Sequence, residues 1–441
     1  MDDATLVDYA KTLDCIHCGL CLNACPTYKL TGAEPSSPRG RVHLMRSVAE
    51  GTLQPDSEFA EEMDFCLLCR ACESACPSGV QFGVLMEHTR AGLQTERRGS
   101  FFARAARWIG FRVILPSRFA LRLVAFVGRS AQRTGLTRFV SRFGFARALR
   151  DAPTIPPSAK RALLQPMTPA RGEPRGVVGV LQGCMMPELF GRVNRATVAV
   201  LAEAGFESRV PSAHVCCGSL HAHNGDREGA RFLAQKTIVC FEDIVDASGH
   251  PSPIVVNSAG CGAHMKDYAH LFDADDPWHE RAHRFAERVV DFSEFVALPR
   301  TRAALERRLR DRPSRAQAVR VTWDDPCHLC HAQKIRSEPR ALLDLLPGIE
   351  RVEMRDSEGC CGSAGIYSLL RPDDAAAVLE PKLQELSDTR AAILVTGNPG
   401  CQLQWSAGVK RAGLNVRVAH IAELLDEALQ HGPIDPADRN A

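Results

Sequence analysis

Two stretches decide how this chain is read: CIHCGLCLNACP, residues 15–26, and CLLCRACESACP, residues 66–77. Both have the spacing C-x2-C-x2-C-x3-C-P, which sets Cys15, Cys18, Cys21 and Cys25 before Pro26, and Cys66, Cys69, Cys72 and Cys76 before Pro77. Three thiolates at two-residue gaps can wrap one corner of an iron–sulfur cube, and the fourth ligand must come from another segment. In two-cluster ferredoxins the last cysteine of each run serves the other cluster. The proline removes a backbone donor and turns the chain away. The expected ligand sets are Cys15, Cys18 and Cys21 with Cys76, and Cys66, Cys69 and Cys72 with Cys25. Zinc is the competing reading, but its cysteines usually come as two separated pairs around a tetrahedral site, and one ion explains only half of these thiols. A disulfide framework suits short secreted chains; this one has 441 residues and opens with MDDATLVDYAKT, acidic and polar, unlike a leader. Two [4Fe–4S] clusters, and therefore electron transfer, are expected.

The length allows two or three domains, and 45% hydrophobic residues with a net charge of +2 describe an ordinary globular protein with no whole-chain sign of nucleic-acid binding. No apolar run reaches the roughly 18 residues of a membrane span. Eighteen cysteines without an export signal point to a reducing compartment and metal ligation, so a cytoplasmic location is expected.

Charge is distributed unevenly. From Arg97 to Arg150 there are thirteen arginines and no acidic residue. Within this stretch WIGFRVILPSRFALRLVAFVG (108–128) is apolar but broken by Arg112, Pro116, Arg118 and Arg122. Arginines mixed with Trp108, Phe111, Phe119 and Phe126 suit an interfacial helix on anionic lipid, which would place the protein on the inner face of the cytoplasmic membrane. The alternative is a basic helical connector that docks on a partner subunit or on the rest of the chain.

The expected organisation is a helical two-cluster module (1–95), an arginine-rich connector ending in the Pro-rich linker APTIPPSAKRALLQPMTPARGEP (96–174), and two repeats (175–300 and 301–430). The repeats are found by aligning cysteines: Cys184, Cys216-Cys217-Gly218 and Cys261 in one, Cys327, Cys360-Cys361-Gly362 and Cys401 in the other. In each, short apolar runs such as GVVGVLQG (176–183), PIVVNSAG (253–260) and AAILVTGNPG (391–400) alternate with amphipathic helices. That alternation predicts an α/β fold with parallel strands whose carboxyl ends gather ligands, and the cysteines fall at those ends. Four cysteines per repeat could hold a further cluster, zinc or a thiol-redox site. Cys240 is expected to be a buried core thiol and Cys330 an alternative ligand beside Cys327. His214, His221, His223, His264, His328 and His331 are expected to be hydrogen-bonded structural residues. No GxGxxG or Walker motif is present, so no flavin or nucleotide is expected on this chain, and no GxSxG or HExxH appears.

The paired runs with PRGR between them, followed by NSAGCG, DPCHL, GCCGSAGIYS and NPGC, resemble the iron–sulfur subunit of glycolate oxidase (glycolate dehydrogenase). Related repeats occur in heterodisulfide reductase, in lactate-utilisation proteins and in the anchor-like subunit of anaerobic glycerol-3-phosphate dehydrogenase. The resemblance implies an FAD-containing partner that oxidises a 2-hydroxy acid, glycolate or lactate, with this subunit passing electrons to a quinone or another acceptor. It matches the eight N-terminal cysteines to two [4Fe–4S] ligand sets. The third element of the heterodisulfide reductase repeat is a CxxC pair, whereas Cys261 and Cys401 are single. Competing readings are a thiol–disulfide reductase with its active site in the repeats, and a membrane-surface electron connector serving several dehydrogenases.

Overall fold

The computed structural model describes residues 6–96, 101–141, 143, 153–161, 163–310, 312 and 317–437. Arg97, Arg98, Arg142, Arg147 and Arg150 of the basic stretch lie outside the described residues.

The N-terminal module is helical. The helix Pro38–Ala49 starts where Ser37 Oγ accepts from the Gly40 amide, with Pro38 in the first turn, whose N–H has no helical partner to lose. It buries Val42 and Met45 against Phe59 and Met63 of the helix Ser57–Phe65, and against Leu85, Met86 and Leu93 of the helix Phe82–Glu96. Asp56 caps the middle helix through the amides of Glu58 and Phe59.

The two cysteine runs repeat one backbone conformation. His17 and Leu68, each just before the second cysteine, are left-handed, as are Gly19 and Arg70 just after it. Alternation of this kind turns successive amide N–H groups into a concavity that suits an anionic centre. Non-glycine residues there carry backbone strain, so the surroundings must hold them. Arg70 is held by Glu73 (2.8 Å) and by Asp267 (2.5 Å), which also ties the module to the first repeat.

Each repeat is a parallel sheet between helices. The first contains β1 (Met167–Thr168), β2 (Gly176–Val180), β3 (Phe206–Arg209), β4 (Ile254–Val256) and β5 (Val289–Asp291), in the order β1-β3-β2-β4-β5. The second contains β6 (Val319–Trp323), β7 (Ile349–Val352), β8 (Ile393–Thr396) and β9 (Arg417–His420), in the order β7-β6-β8-β9. Removing β1 leaves the same order in both, the signature of a duplicated unit. Among the nine strands β1 departs from parallel pairing: it runs antiparallel to β3 and comes from the stretch read as linker. Single-sequence patterning missed it because two residues carry no periodicity.

The repeats share a core. Val178, Val180 and Leu201 of the first pack with Trp323, Leu342 and Leu425 of the second. Polar ties cross the same boundary: His420 Nε2 meets Asn257 O at 3.1 Å, and Arg192 pairs with Glu423 at 2.9 Å. Equivalent capping boxes follow the last strands: Asp291 with Glu294 opens Phe292–Ala297, and His420 with Glu423 opens Ile421–His431.

The basic connector corrects the lipid-facing expectation in part. Its helices Phe101–Trp108 and Arg118–Arg133, joined through a π-helical turn at Ile109–Ile114, lie against the first repeat. Arg112 pairs with Asp226 (2.6 Å), Arg122 approaches Glu188 (3.7 Å), and Arg118 reaches the Ser212 carbonyl (3.5 Å). Phe111 is buried, its carbonyl bonded to His221 Nε2 at 2.8 Å. These arginines dock the connector on the chain itself. Several large apolar residues also face outward, among exposed arginines such as Arg104 and Arg133: Phe119 is 78% exposed, Phe101 70%, Phe126 63% and Trp108 61%. Among the described residues no helix is long and apolar enough to cross a membrane.

Candidate metal centre

Cys15, Cys18, Cys21 and Cys76 line one cavity together with Cys72 of the second set, walled by Pro38, Val42, Val80 and Phe82. Arg39 Nη1 donates to the His17 carbonyl at 3.2 Å and Arg46 to the carbonyls of Thr12 and Cys15, so the loop holding three of these thiols is fixed from behind. Burial pushes the Cys21 thiol up, opposed by backbone N–H donors and reinforced by Cys15 and Cys18.

Cys25, Cys66, Cys69 and Cys72 are buried. Burial drives Cys72 well above the usual thiol range, and the neighbouring Cys69, Cys66, Glu73 and Cys25 drive it further. Cys25 therefore lies within electrostatic reach of the second run although it belongs to the first. Its Sγ contacts Thr27 Oγ1 (3.2 Å), which Arg41 Nη1 holds at 3.0 Å. The Leu68 amide donates to Cys66 Sγ at 3.3 Å, and Arg90 Nη2 binds the Met63 and Cys66 carbonyls at 2.7 and 2.6 Å. N–H donors of this kind tune a cluster's potential.

Both repeats bring their four cysteines together. In the first, Cys184 and Cys216 sulfurs are 3.5 Å apart, and hydrogen bonds continue from Cys216 to Cys217 and on to Cys261. Contact with Cys216 pushes Cys184 and Cys217 up; the same contacts push Cys216 down, and contact with Cys217 pushes Cys261 down. In the second, Cys327 bonds Cys360, and Cys361 bonds Cys401. Gly362 N–H donates to Cys360 Sγ and Asn398 Nδ2 to Cys401 Sγ, each at 3.4 Å. The glycines after the paired cysteines are required twice over. Gly218 and Gly362 are left-handed (φ 85° and 83°), and a Cβ would stand 3.3 Å from the Ala230 carbonyl and 2.4 Å from the Ala375 carbonyl.

The second repeat is also in contact with the module. The Cys69 thiol hydrogen-bonds Cys360, and this contact is the largest cause of its upward shift. Leu67, Cys69, Ala71, Cys360, Tyr367 and Val378 form a shared apolar cluster around it.

Four crowded thiols cannot all ionise while each thiolate repels the next, and a cationic core relieves that conflict. The buried sulfur sets with N–H donors aimed at them fit thiolate-ligated clusters.

Cys330 and Cys240 stand apart. Cys330 is buried with Sγ turned to the Cys327 carbonyl at 3.8 Å, outside the four-thiol set. It lies with His331 and Glu358, whose ligand atoms are within 4.8 Å of one another. His331 is already engaged by Ser74 and the Glu358 carbonyl, and the Glu358 carboxylate by Arg336. Cys240 is half-buried rather than a full core residue, because its helix turns it toward the edge. Five of the six histidines hold at least one hydrogen bond, as structural groups do; two of their buried ring nitrogens, His221 Nδ1 and His264 Nε2, have no partner among the described residues.

A helical cluster module joined to two sulfur-bearing α/β repeats defines a class of iron–sulfur protein, and the comparisons agree. Residues 11–80 match the family described as 4Fe-4S dicluster domain, and residues 178–266 and 321–406 match the cysteine-rich domain. The chain is 36% identical over 437 residues to the probable glycolate oxidase iron-sulfur subunit of Bacillus subtilis (strain 168), covering 96% of each chain. It is 30% identical over 420 residues to the glycolate oxidase iron-sulfur subunit of Escherichia coli (strain K12), covering 94% of each. It is 28% identical over 431 residues to a fumarate reductase (CoM/CoB) subunit of Methanothermobacter marburgensis, covering 96% of this chain and 73% of that one. The chain belongs to the glycolate oxidase iron–sulfur subunit family, and its N-terminal module is a two-[4Fe–4S] module.

Proposed function

We propose that this chain is the electron-transfer subunit of a flavin-dependent 2-hydroxy-acid dehydrogenase, with glycolate or lactate oxidised on an FAD-containing partner and a quinone as acceptor. The observation that carries this reading is the interaction between Cys69 and Cys360, which joins the sulfur set of the module to that of the second repeat inside a buried apolar cluster. Two relatives named for glycolate oxidase, and others named lactate utilization protein A, support the substrate class.

In this reading Cys15, Cys18, Cys21 and Cys76 hold one cluster and Cys25, Cys66, Cys69 and Cys72 the other. Cys184, Cys216, Cys217 and Cys261, and Cys327, Cys360, Cys361 and Cys401, hold further clusters. When bound, the clusters supply reversible one-electron storage. The chain's own residues do the rest. Arg39 and Arg46 fix the first loop, Arg90 fixes the second, and Cys25, Cys66, Cys69 and Cys72 are all buried. Phe101, Trp108, Phe119 and Phe126, exposed on the connector, rest on the membrane interface.

Anaerobic purification with iron and sulfide analysis tests the cofactor content: about twelve to sixteen irons mean loaded repeats, and about eight mean two cubanes only. Glycolate-dependent dye reduction should require the flavoprotein partner. Turnover by the isolated, flavin-free chain would sink the subunit assignment.

A further inference from the structure

A cavity opens where the module and both repeats meet, lined among others by Leu68, Glu87, His223, His264, Leu271 and His328. Its position is defined by the sulfur loops: Leu68 lies between Cys66 and Cys69, and His328 follows Cys327. His328 Nε2 is bonded to the Leu68 carbonyl at 2.9 Å, which closes the wall between those two loops.

The polar end of the cavity is built. His223 Nδ1 meets Glu87 Oε1 at 2.6 Å and its Nε2 meets Ser219 Oγ at 3.0 Å, so both ring nitrogens are committed. The His223 ring stands edge-on to those of His264 (centroids 6.0 Å apart) and His328 (5.3 Å). His264 is 5% exposed, and its Nε2 faces this region buried and without a hydrogen-bond partner among the described residues. A buried imidazole nitrogen without a partner is destabilising, and a ligand oxygen would satisfy it. Burial lowers His223 to about 3 and His264 to about 4, so both rings are neutral, and it raises the Glu87 carboxyl. Glu87 and His223 keep 25% and 19% of their side-chain surface accessible, so the carboxyl is buried in protein yet open to the space it lines. Arg70 and Asp267 on the rim neutralise each other. Leu68, Val84 and Leu271 supply apolar wall.

We propose that this cavity seats the head group of a quinone, with His264 Nε2–H donating to one carbonyl oxygen and the Glu87 carboxyl facing the other. The inference rests on the quinone-acceptor reading given above and assigns its site. Reduction of the quinone takes two electrons and two protons. The electrons are those withdrawn from the hydroxy acid, and each ring carbonyl becomes a hydroxyl. Glu87 gives one proton and is left as a carboxylate accepting from His223 Nδ1–H; the second proton enters from solvent, and solvent reprotonates Glu87. A lipid-borne acceptor fits the neighbourhood. Asn224 and Asp226, adjoining the cavity residues His223 and Arg227, anchor the connector through Arg107 and Arg112. That connector bears the exposed aromatic residues.

The test uses the assembled complex with its flavoprotein partner, under anaerobic conditions, with a decyl-substituted quinone and separately with ferricyanide. His264→Phe and Glu87→Gln should each lower the ratio of quinone-coupled to ferricyanide-coupled rate by about ten-fold or more, the size expected for one lost buried hydrogen bond. In the wild-type complex an azido-quinone should label peptides spanning 219–227 or 259–271, and excess quinone should prevent it. Equal loss of both rates, loss of neither, or labelling elsewhere overturns the site. A wild-type complex that reduces ferricyanide but no quinone overturns the acceptor reading itself, and an active quinone reductase indifferent to both variants overturns only the placement. If either variant fails to assemble, the wild-type labelling pattern decides.

Discussion

Replacing Lys382 by methionine should be among the most damaging single changes in the second repeat. Its side chain, on the helix Pro372–Thr389, is 4% exposed, and its partner Asp324 is 1% exposed. Nζ donates to Asp324 Oδ1 at 2.8 Å, to the Ser357 carbonyl at 3.0 Å and to the Gly359 carbonyl at 2.6 Å, which uses all three ammonium hydrogens. Burial alone would strip the ammonium of its proton, but Asp324 holds it on, so the pair is ionic. Removing one member leaves the other as an uncompensated buried charge, at a cost of about 3–5 kcal/mol. It also frees two carbonyls in the turn that delivers Cys360 and Cys361. Anaerobic urea unfolding should show the full loss for Lys382→Met. The double variant with Asp324→Asn should recover a large part of it, because the stranded charge is gone; the freed carbonyls account for the remainder. A single variant costing under about 1 kcal/mol, or a double variant no more stable than the single, would refute the argument from the buried pair.

Three further outcomes are expected. Cys76→Ser should alter mainly the EPR signal of the cluster held by Cys15, Cys18 and Cys21, and loss confined to the signal of the Cys66, Cys69 and Cys72 set would reverse the crossed assignment. Phe119→Asp with Phe126→Asp should reduce flotation with anionic vesicles, whereas Arg112→Glu should lower stability by setting a carboxylate against Asp226; equal flotation of wild type and the double aspartate variant would remove the lipid role. His420, fully buried, has its pKa lowered to about 4 by burial, against about 6.5 unfolded. Its neutral-ring stability is complete above pH 6.5 and is lost as pH falls toward 4, by up to about 3 kcal/mol, so the urea midpoint should drop between pH 7 and 5 and drop less in His420→Gln.

What the sequence made legible was chemistry carried by local spacing. Cys15 to Cys25 and Cys66 to Cys76 declare a cluster motif because ligand geometry constrains nearest neighbours. The matched gaps from Cys184 and Cys327 to their paired cysteines reveal a duplication because both helical crossovers have similar length. The parallel pairing of the strands follows from the alternation of apolar runs with helices, whereas their order in the sheets does not. Orientation was not legible. Periodicity divides the connector into a basic and an apolar face, but which face turns inward depends on Asp226, Glu188 and the Phe111 carbonyl contact, none of them close in sequence. The contact of Cys69 with Cys360 and the junction cavity have no motif at all, since they arise only when three segments pack together.

The closeness of these sulfurs also sets how the protein fails. Cys184 and Cys216 lie 3.5 Å apart, about 1.5 Å more than a disulfide bond length. Cys69 and Cys360 also interact across the junction of module and repeat. With clusters in place the thiolates are occupied. Once oxygen removes the iron, the freed thiolates are already adjacent, and a further oxidant couples them in pairs. A Cys69–Cys360 bond would staple the module to the second repeat and close both sites to new iron. Damage by air is therefore a covalent lock as well as a loss of metal, and rebuilding the protein needs a thiol reductant before iron and sulfide.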